Sequence, residues 1–261
     1  MPQLLSSPAN PLLKDVRQAL RRGTLTSQGY CVAEGPHLLD EARRSGSRIR
    51  TLLVAESAVA RIIGGMERIA IIEDGVFEKL AATETTQGVI ALIDPPEWTM
   101  AQLLRPDALV VVLDGIQDPG NAGTILRAAE AFGASGIVFL KGSVSPFNAK
   151  VLRASAGSLF RVPFVHGMDA ACVPTLFEER GIVLYAGVPG DPAHQAMALP
   201  KADLTHDCAL IVGNEGSGVG ERFRSTARLV TIPTVGVESL NAGVAAAILL
   251  YEARRQRDGY T

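Results

Sequence analysis

Three stretches of the chain hold residues whose types and spacing could do chemistry. Leu210 to Gly220, LIVGNEGSGVG, crowds Gly213, Gly216, Gly218 and Gly220 into one loop directly after an apolar run. Glycines supply positive φ and let the backbone come close to a ligand. A plain tight turn needs one or two of them, so this loop reads as a binding loop with Glu215 held out on it. Leu113 to Phe132, LDGIQDPGNAGTILRAAEAF, runs from a buried strand through a Gly/Pro loop into a helix. Asn121 is expected to cap that helix and Gly133 to end it. Ile125, Ala129 and Phe132 share a face, and Arg127 points the other way, toward solvent or a partner. By itself a strand–loop–helix with an exposed Arg is more often structure than site. Val230 to Arg257, VTIPTVGVESLNAGVAAAILLYEARRQR, is a short β-branched run stopped by Pro233, a turn, and an apolar helix from Leu240 to Ala253. Ser239 is the expected N-cap, and Arg254, Arg255 and Arg257 suit the negative end of the helix dipole. Being apolar nearly all round, the helix is expected to be buried. Asn241 and Gly243 in its first turns fit either a well-capped terminal helix or an entrance that holds a ligand.

Two chemistries are disfavoured at once. G-x-G-x-x-G and the Walker A pattern are absent, so neither a dinucleotide nor a nucleotide phosphate loop is indicated. The three cysteines, Cys31, Cys172 and Cys208, are far apart with no C-x-x-C pair. That spacing suits a reducing, cytoplasmic setting and offers no metal site.

These stretches need elements to position them. Ala108–Leu113, ALVVVL, is a continuous apolar run, as expected of a parallel strand covered on both faces. Strands at Ile137–Leu140, Ile182–Tyr185, Ala209–Val212 and Leu229–Ile232 alternate with helical stretches, which implies a parallel sheet with helices on both sides. Ligands bind such sheets at the carboxyl ends of the strands. Upstream, a basic amphipathic helix over Leu12–Arg22 leads into strands at Tyr30–Ala33, Ile49–Val54, Ile69–Ile72 and Gly88–Ile93. Helices from Pro36, near Ser57–Ile63 and at Val76–Ala82 lie between them. The fold class is therefore α/β, with a small N-terminal α/β domain over 1–94, a linker over 95–106 opened by Asp94-Pro95-Pro96, and a C-terminal parallel-sheet domain over 107–261. The 261 residues are 47% hydrophobic and 20% charged, which argues against disorder. The start is unlike a signal peptide, and no apolar run approaches a membrane span.

The formal net charge of −2 argues mildly against a nucleic-acid partner, but its distribution does not. Residues 1–50 hold eight Lys/Arg against four Asp/Glu, whereas 51–100 hold three against eight. Ala131 to Met168 carries Lys141, Lys150, Arg153 and Arg161 and no acid. Such patches can engage phosphates or be ordinary solvated side chains.

Taken together, Asn121…Arg127, Gly213-Asn214-Glu215-Gly216-Ser217-Gly218, and Ile232-Pro233 followed by Ser239-Leu240-Asn241 resemble the three motifs of the SpoU/TrmH family. Members are S-adenosylmethionine-dependent RNA ribose 2′-O-methyltransferases of the SPOUT class. The resemblance covers about Leu109 to Arg257. Ser7…Asn10-Pro11…Lys14, Glu34-Gly35 and Gln87-Gly88 resemble the family's L30e-like substrate-binding domain. It implies a trefoil knot in the C-terminal domain and a homodimer built through that domain. Gly213, Ile232 and Leu240, with Val212, Asn214 and Gly218, are implied as contacts to S-adenosylmethionine. Arg127, Glu215, Ser239, Asn241 and Asn121 are implied around the reacting ribose. Where the family commonly has one residue more between the Pro and the Ser-Leu-Asn, Pro233–Ser239 is shorter, so a tighter turn is expected. Ala242-Gly243 stands where a Val-Ser often follows the Asn.

A ribose hydroxyl is a poor nucleophile. Because a guanidinium keeps its proton in proteins, Arg127 is read as a charge partner for phosphate and oxyanion, with Glu215 orienting it or relaying the proton. Lys14, Arg17, Arg21, Lys150 and Arg153 are read as RNA contacts. Structured ribosomal RNA is preferred over transfer RNA. The rival classes are a non-catalytic RNA-binding protein and a nicotinamide-dependent oxidoreductase.

Overall fold

The computed structural model describes residues 4–62, 67–83, 85–190 and 196–259. From residue 4 to 97 the chain forms β1 (Leu4–Leu5), α1 (Pro11–Arg22), β2 (Cys31–Glu34), α2 (Pro36–Arg44), β3 (Ile49–Ala55), α3 (Val59–Ile62), β4 (Ile69–Ile72), α4 (Asp74–Leu80) and β5 (Val89–Ile93). Ile63, the last residue of one expected helix, lies outside the described residues. From residue 98 onward follow α5 (Met100–Leu103), β6 (Leu109–Asp114), α6 (Pro119–Ala131), β7 (Gly136–Leu140), α7 (Ala149–Ala154), β8 (Phe164–Met168), α8 (Val173–Glu178), β9 (Val183–Gly187), β10 (Met197–Ala198), β11 (Cys208–Gly213), α9 (Glu221–Thr226), β12 (Arg228–Thr231) and α10 (Ala242–Arg257).

The chain divides into two units, Met1–Glu97 with Phe147–Phe160, and Trp98–Pro146 with Arg161–Thr261. In the first, a five-stranded sheet runs β1-β4-β3-β5-β2, with β5 antiparallel to β2 and β3. Helix α1 buries Leu13, Val16 and Ala19 on one stripe, so its basic residues face outward. Asn10 caps it by accepting from Leu12 N at 2.9 Å, and Pro11 occupies the first turn, where no amide is lost. The segment 147–160 was expected in the C-terminal domain but packs with this unit. Helix α7 lies on the edge strand β2, and Arg153 Nη1 sits 3.6 Å from Glu34, whose side chain is buried. A buried carboxylate needs partners. Glu34 also accepts from Ala82 N at 3.0 Å and from the Thr83 hydroxyl.

The second unit holds a seven-stranded, wholly parallel sheet in the order β10-β12-β9-β11-β6-β7-β8. The strand order reverses between β6 and β11, where open α/β sheets place ligand sites. Val110 and Val112 pack into the cluster of Leu184, Ala209, Ile211, Phe177 and Phe223 on one face. Helices α6 and α10 pack together, with α10 also against β11. Gly243 is the close-approach point, since a Cβ there would lie 3.1 Å from Thr124 Cγ2 of α6. The expected linker is only partly a linker: Thr99 and Gln102 form a capping box for α5, and Leu103 is buried in this core. The edge strand β8, not expected from the sequence, buries Phe164 and exposes His166 and Gly167, and Gly167 at φ +73° interrupts its pairing register with β7.

Both expected caps move. Asp118, not Asn121, caps α6: its Oδ1 accepts from Asn121 N at 2.8 Å. Asn241, not Ser239, caps α10, accepting from Gly243 N at 3.0 Å and Val244 N at 3.2 Å. An Asn oxygen so placed reaches two orphan amides, while Ser239 lies in the exposed turn before the helix. Nor is α10 buried all round, because Val244 and Tyr251 are exposed.

The terminal arginines have discrete partners. Arg255 pairs with Glu252, and Arg254 with Asp258. Arg257 donates to the carbonyls of Leu204 (2.9 Å), Asp107 (2.8 Å), Ala108 (3.0 Å) and His206 (2.6 Å). It thus staples the end of α10 to the starts of β6 and β11. Replacing Arg257 with Ala removes these four hydrogen bonds, two of them solvent-exposed, and is expected to cost about 1–2 kcal/mol in denaturant unfolding. Arg257→Lys, which cannot reproduce the planar fork, should restore less than half of that loss.

Candidate active site

A parallel sheet brings the carboxyl ends of its strands to one edge. At that edge lies a cleft of about 500 Å³, formed by the exits of β9, β11 and β12 and the first turns of α10. Its walls are mostly apolar side chains or bare backbone: Val188, Val212, Ile232, Leu240, Leu249 and the loop glycines.

The glycine loop is locked by one side chain. Asn214 and Gly218 exchange backbone bonds at 3.1 and 2.8 Å, and Asn214 Oδ1 accepts from Gly216 N at 2.7 Å. Its Nδ2 donates to the Gly115 carbonyl at 2.8 Å, tying the β11 exit to the β6 exit. Asp114, the last residue of β6, accepts from Gly220 N at 2.7 Å. Gly213 is obligatory on packing grounds, because a Cβ would fall 2.2 Å from the Gly218 carbonyl carbon.

Across the loop, three side chains form a hydrogen-bonded chain whose sense follows from the backbone. Asn241 Oδ1 is committed to the α10 amides, so its Nδ2 must be the outward donor. It donates to Asn121 Oδ1 at 2.9 Å. Asn121 then presents its own Nδ2 to Glu215, which accepts through Oε1. Asn121 is buried; Glu215 and Asn241 are exposed at the cleft mouth. Because Asp118 supplies the cap of α6, the Asn121 side chain is left for this bridging role.

Val212, Gly213, Asn214, Gly218, Ile232 and Leu240 all line the cleft, as do Glu215, Ser239 and Asn241. The Asn214 amide is occupied within the loop, so any ligand contact from this residue is through backbone. Asn121 stands behind the lining and joins it by hydrogen bonds. Arg127 does not line the cleft. It is exposed on α6 and has no hydrogen bond or ion pair among the described residues; of the two roles expected of Glu215, orienting Arg127 is not seen, and Glu215 is held by Asn121 instead. Not expected from the sequence were the Gly187-Val188-Pro189-Gly190 exit of β9, Arg224 on α9, and Asp114. A Gly/Pro cluster after an apolar strand was the available signal for the first.

In the first unit, Lys14, Arg17 and Arg21 form one outward stripe of α1 with Gln18 and Arg22, around a groove. Lys150 is exposed. Arg153 is half-buried against Glu34, which gives it a structural duty the sequence did not reveal. Among the described residues no helix is long and apolar enough to cross a membrane, and no three His, Cys, Asp or Glu residues are grouped to hold a metal ion.

Comparison with known proteins agrees with the motifs. Residues 108–251 match the model of the SpoU rRNA methylase family, and residues 10–91 match an MRM3-like substrate-binding domain. The chain is 32% identical over 255 residues to the 23S rRNA (guanosine(2553)-2′-O)-methyltransferase RlmP of Bacillus subtilis, covering 96% of this chain and 98% of that protein. It is 32% identical over 222 residues to the 23S rRNA (guanosine-2′-O-)-methyltransferase RlmB of Xanthomonas campestris, covering 84% and 82%. The fold superposes on the SpoU methyltransferase AviRb from Streptomyces viridochromogenes, solved with AdoMet. The TM-score is 0.83 at 27% identity over 95% of this chain and 98% of that one. The glycine loop, the Asn241–Asn121–Glu215 chain and the extent of these matches together place this chain in the SpoU rRNA methylase family.

Proposed function

We propose that this protein transfers a methyl group from S-adenosylmethionine to a ribose 2′-hydroxyl of 23S ribosomal RNA. The observation that carries the reading is the Asn241–Asn121–Glu215 chain, standing at the mouth of a glycine-walled cleft. The cleft fits the cofactor. Its volume lies within the roughly 300–1,000 Å³ of small-molecule sites, its apolar walls suit an adenine, and the bare backbone of Gly213 and Gly218 allows close approach. When bound, S-adenosylmethionine supplies an electrophilic sulfonium methyl.

The chain's own residues do the rest. Val212, Gly213, Asn214, Gly218, Ile232 and Leu240 hold the cofactor, largely through backbone. Ser239 and Asn241 fix the ribose in line with the methyl, where positioning alone contributes much of the rate. Glu215, held through Oε1 by Asn121, accepts the ribose proton at Oε2. Arg127, about two turns along α6 from Asn121, gathers the substrate phosphate and the developing oxyanion.

The N-terminal domain binds the RNA through the Lys14, Arg17 and Arg21 stripe, with Lys150 and Arg153 as further contacts. The β12–α10 segment makes the knot implied by the family resemblance. A second copy of the chain covers the C-terminal domain where Val244 and Tyr251, seven residues apart on one face of α10, are exposed. The buried Cys31 and Cys208 are free thiols, which suits a cytoplasmic enzyme working where ribosomes are made.

Purified protein should transfer label from S-adenosylmethionine to 23S rRNA, with alkaline-resistant ribose methylation as the readout. Arg127→Ala should lower kcat by about 10²–10³ while leaving cofactor affinity within about threefold, and Arg127→Lys should recover little. Cofactor binding without any methyl transfer to ribosomal RNA would refute the reading.

Replacing Lys14 and Arg17 together should reduce the slope of log K against log salt for RNA binding by about 1.4–1.8. An unchanged slope removes α1 from the interface. By light scattering the protein should have the mass of two chains, and Val244→Asp with Tyr251→Asp should halve it.

A further inference from the structure

The charge pattern of the cleft says something about which part of a ligand goes where. Among the described residues lining it, Arg224 on α9 is the one cation. Its Nε donates to the Val219 carbonyl at 2.8 Å, which sets the plane of the guanidinium. Its Nη2 lies 3.1 Å from where a Cβ on Gly218 would stand, against the turn that closes the glycine loop. The side chain is half-buried, so the charge is partly withdrawn from water. A guanidinium offers five donors in a planar fork that matches a carboxylate. The alternative anion holders at this edge are the backbone amides that open α6 and α10. Amides in both are already taken by caps: Asn121 N by Asp118, and Gly243 N and Val244 N by Asn241.

We propose that Arg224 binds the α-carboxylate of S-adenosylmethionine and so gives the cleft its preference for the intact amino-acid end of the cofactor; this rests on the reading of the cleft as the cofactor site. The adenosine then lies along the apolar wall of Val212, Ile232 and Leu240. Arg224 is a binding and specificity residue and does not touch the methyl being transferred.

The test uses two ligands on the full chain by titration calorimetry. One is S-adenosylmethionine. The other is its decarboxylated analogue, which keeps the adenosine, the sulfonium and the ammonium and lacks only the carboxylate. The unsubstituted protein should prefer S-adenosylmethionine by about 10- to 100-fold, the range of a charge-assisted pair out of water. Arg224→Gln should collapse that preference to about twofold or less by weakening the first ligand alone, with a thermal melt checking that the variant is folded. Equal affinity of the unsubstituted protein for the two ligands overturns the proposal and leaves the cofactor reading standing. Binding of neither ligand overturns both. If Arg224→Gln weakens both ligands by the same factor, Arg224 only holds the loop and the proposal is wrong.

Discussion

The capping of α10 by Asn241 is the interaction on which the site depends. A helix opens with amides that have no intrahelical acceptor, and the Asn241 oxygen takes two of them. That commitment orients the whole amide. Its NH₂ can only point outward, toward Asn121, and Asn121 in turn can only offer its NH₂ to Glu215. Three segments far apart in sequence are thereby locked in one donor-to-acceptor sense by an ordinary demand of helix termination. The same logic holds one helix away. Asp118 caps α6, and only for that reason is the Asn121 side chain available to bridge.

The two close approaches serve this arrangement. Gly243 lets α10 come against Thr124 of α6, which brings the two helix entrances within reach of each other. Gly213 lets the β11 exit fold back on Gly218 and Val219, which turns Glu215 outward at the cleft mouth. A side chain at either position would push apart elements that the amide chain must hold at hydrogen-bond distance. Stability and site geometry are met by the same residues here. By contrast Arg257, at the far end of α10, anchors the helix to four backbone carbonyls and takes no part in the cleft.

Much of this was legible in the chain. The apolar runs at 108–113 and 209–212 specified buried parallel strands, and the crowded glycines specified a loop at a strand end. What could not be read were choices between neighbouring polar residues. Asp118 and Asn121 are both good caps, as are Ser239 and Asn241, and only packing shows which oxygen meets the amides. The packing of 147–160 with the N-terminal unit was equally hidden, because Arg153 finds Glu34 more than a hundred residues away. The basic island around it looked uniform in sequence. In the fold, Lys150 is exposed while Arg153 is spent partly on a buried carboxylate.

The distribution of charge around the cleft follows from the caps. Helix N-termini with bare amides are anion sites, and a site meant for a sulfonium cation gains nothing from two of them pointing inward. Here Asp118 and Asn241 cover amides at both, and the acidic Glu215 and Glu238 stand at the lining. Among the described residues lining the cleft the one positive charge is Arg224, beside Gly218, while Arg127 lies outside the cleft. Such a separation lets one pocket accept a ligand carrying both signs while the reacting edge remains open to a polyanion. The capping residues therefore shape the electrostatics of the cleft as much as they end the helices.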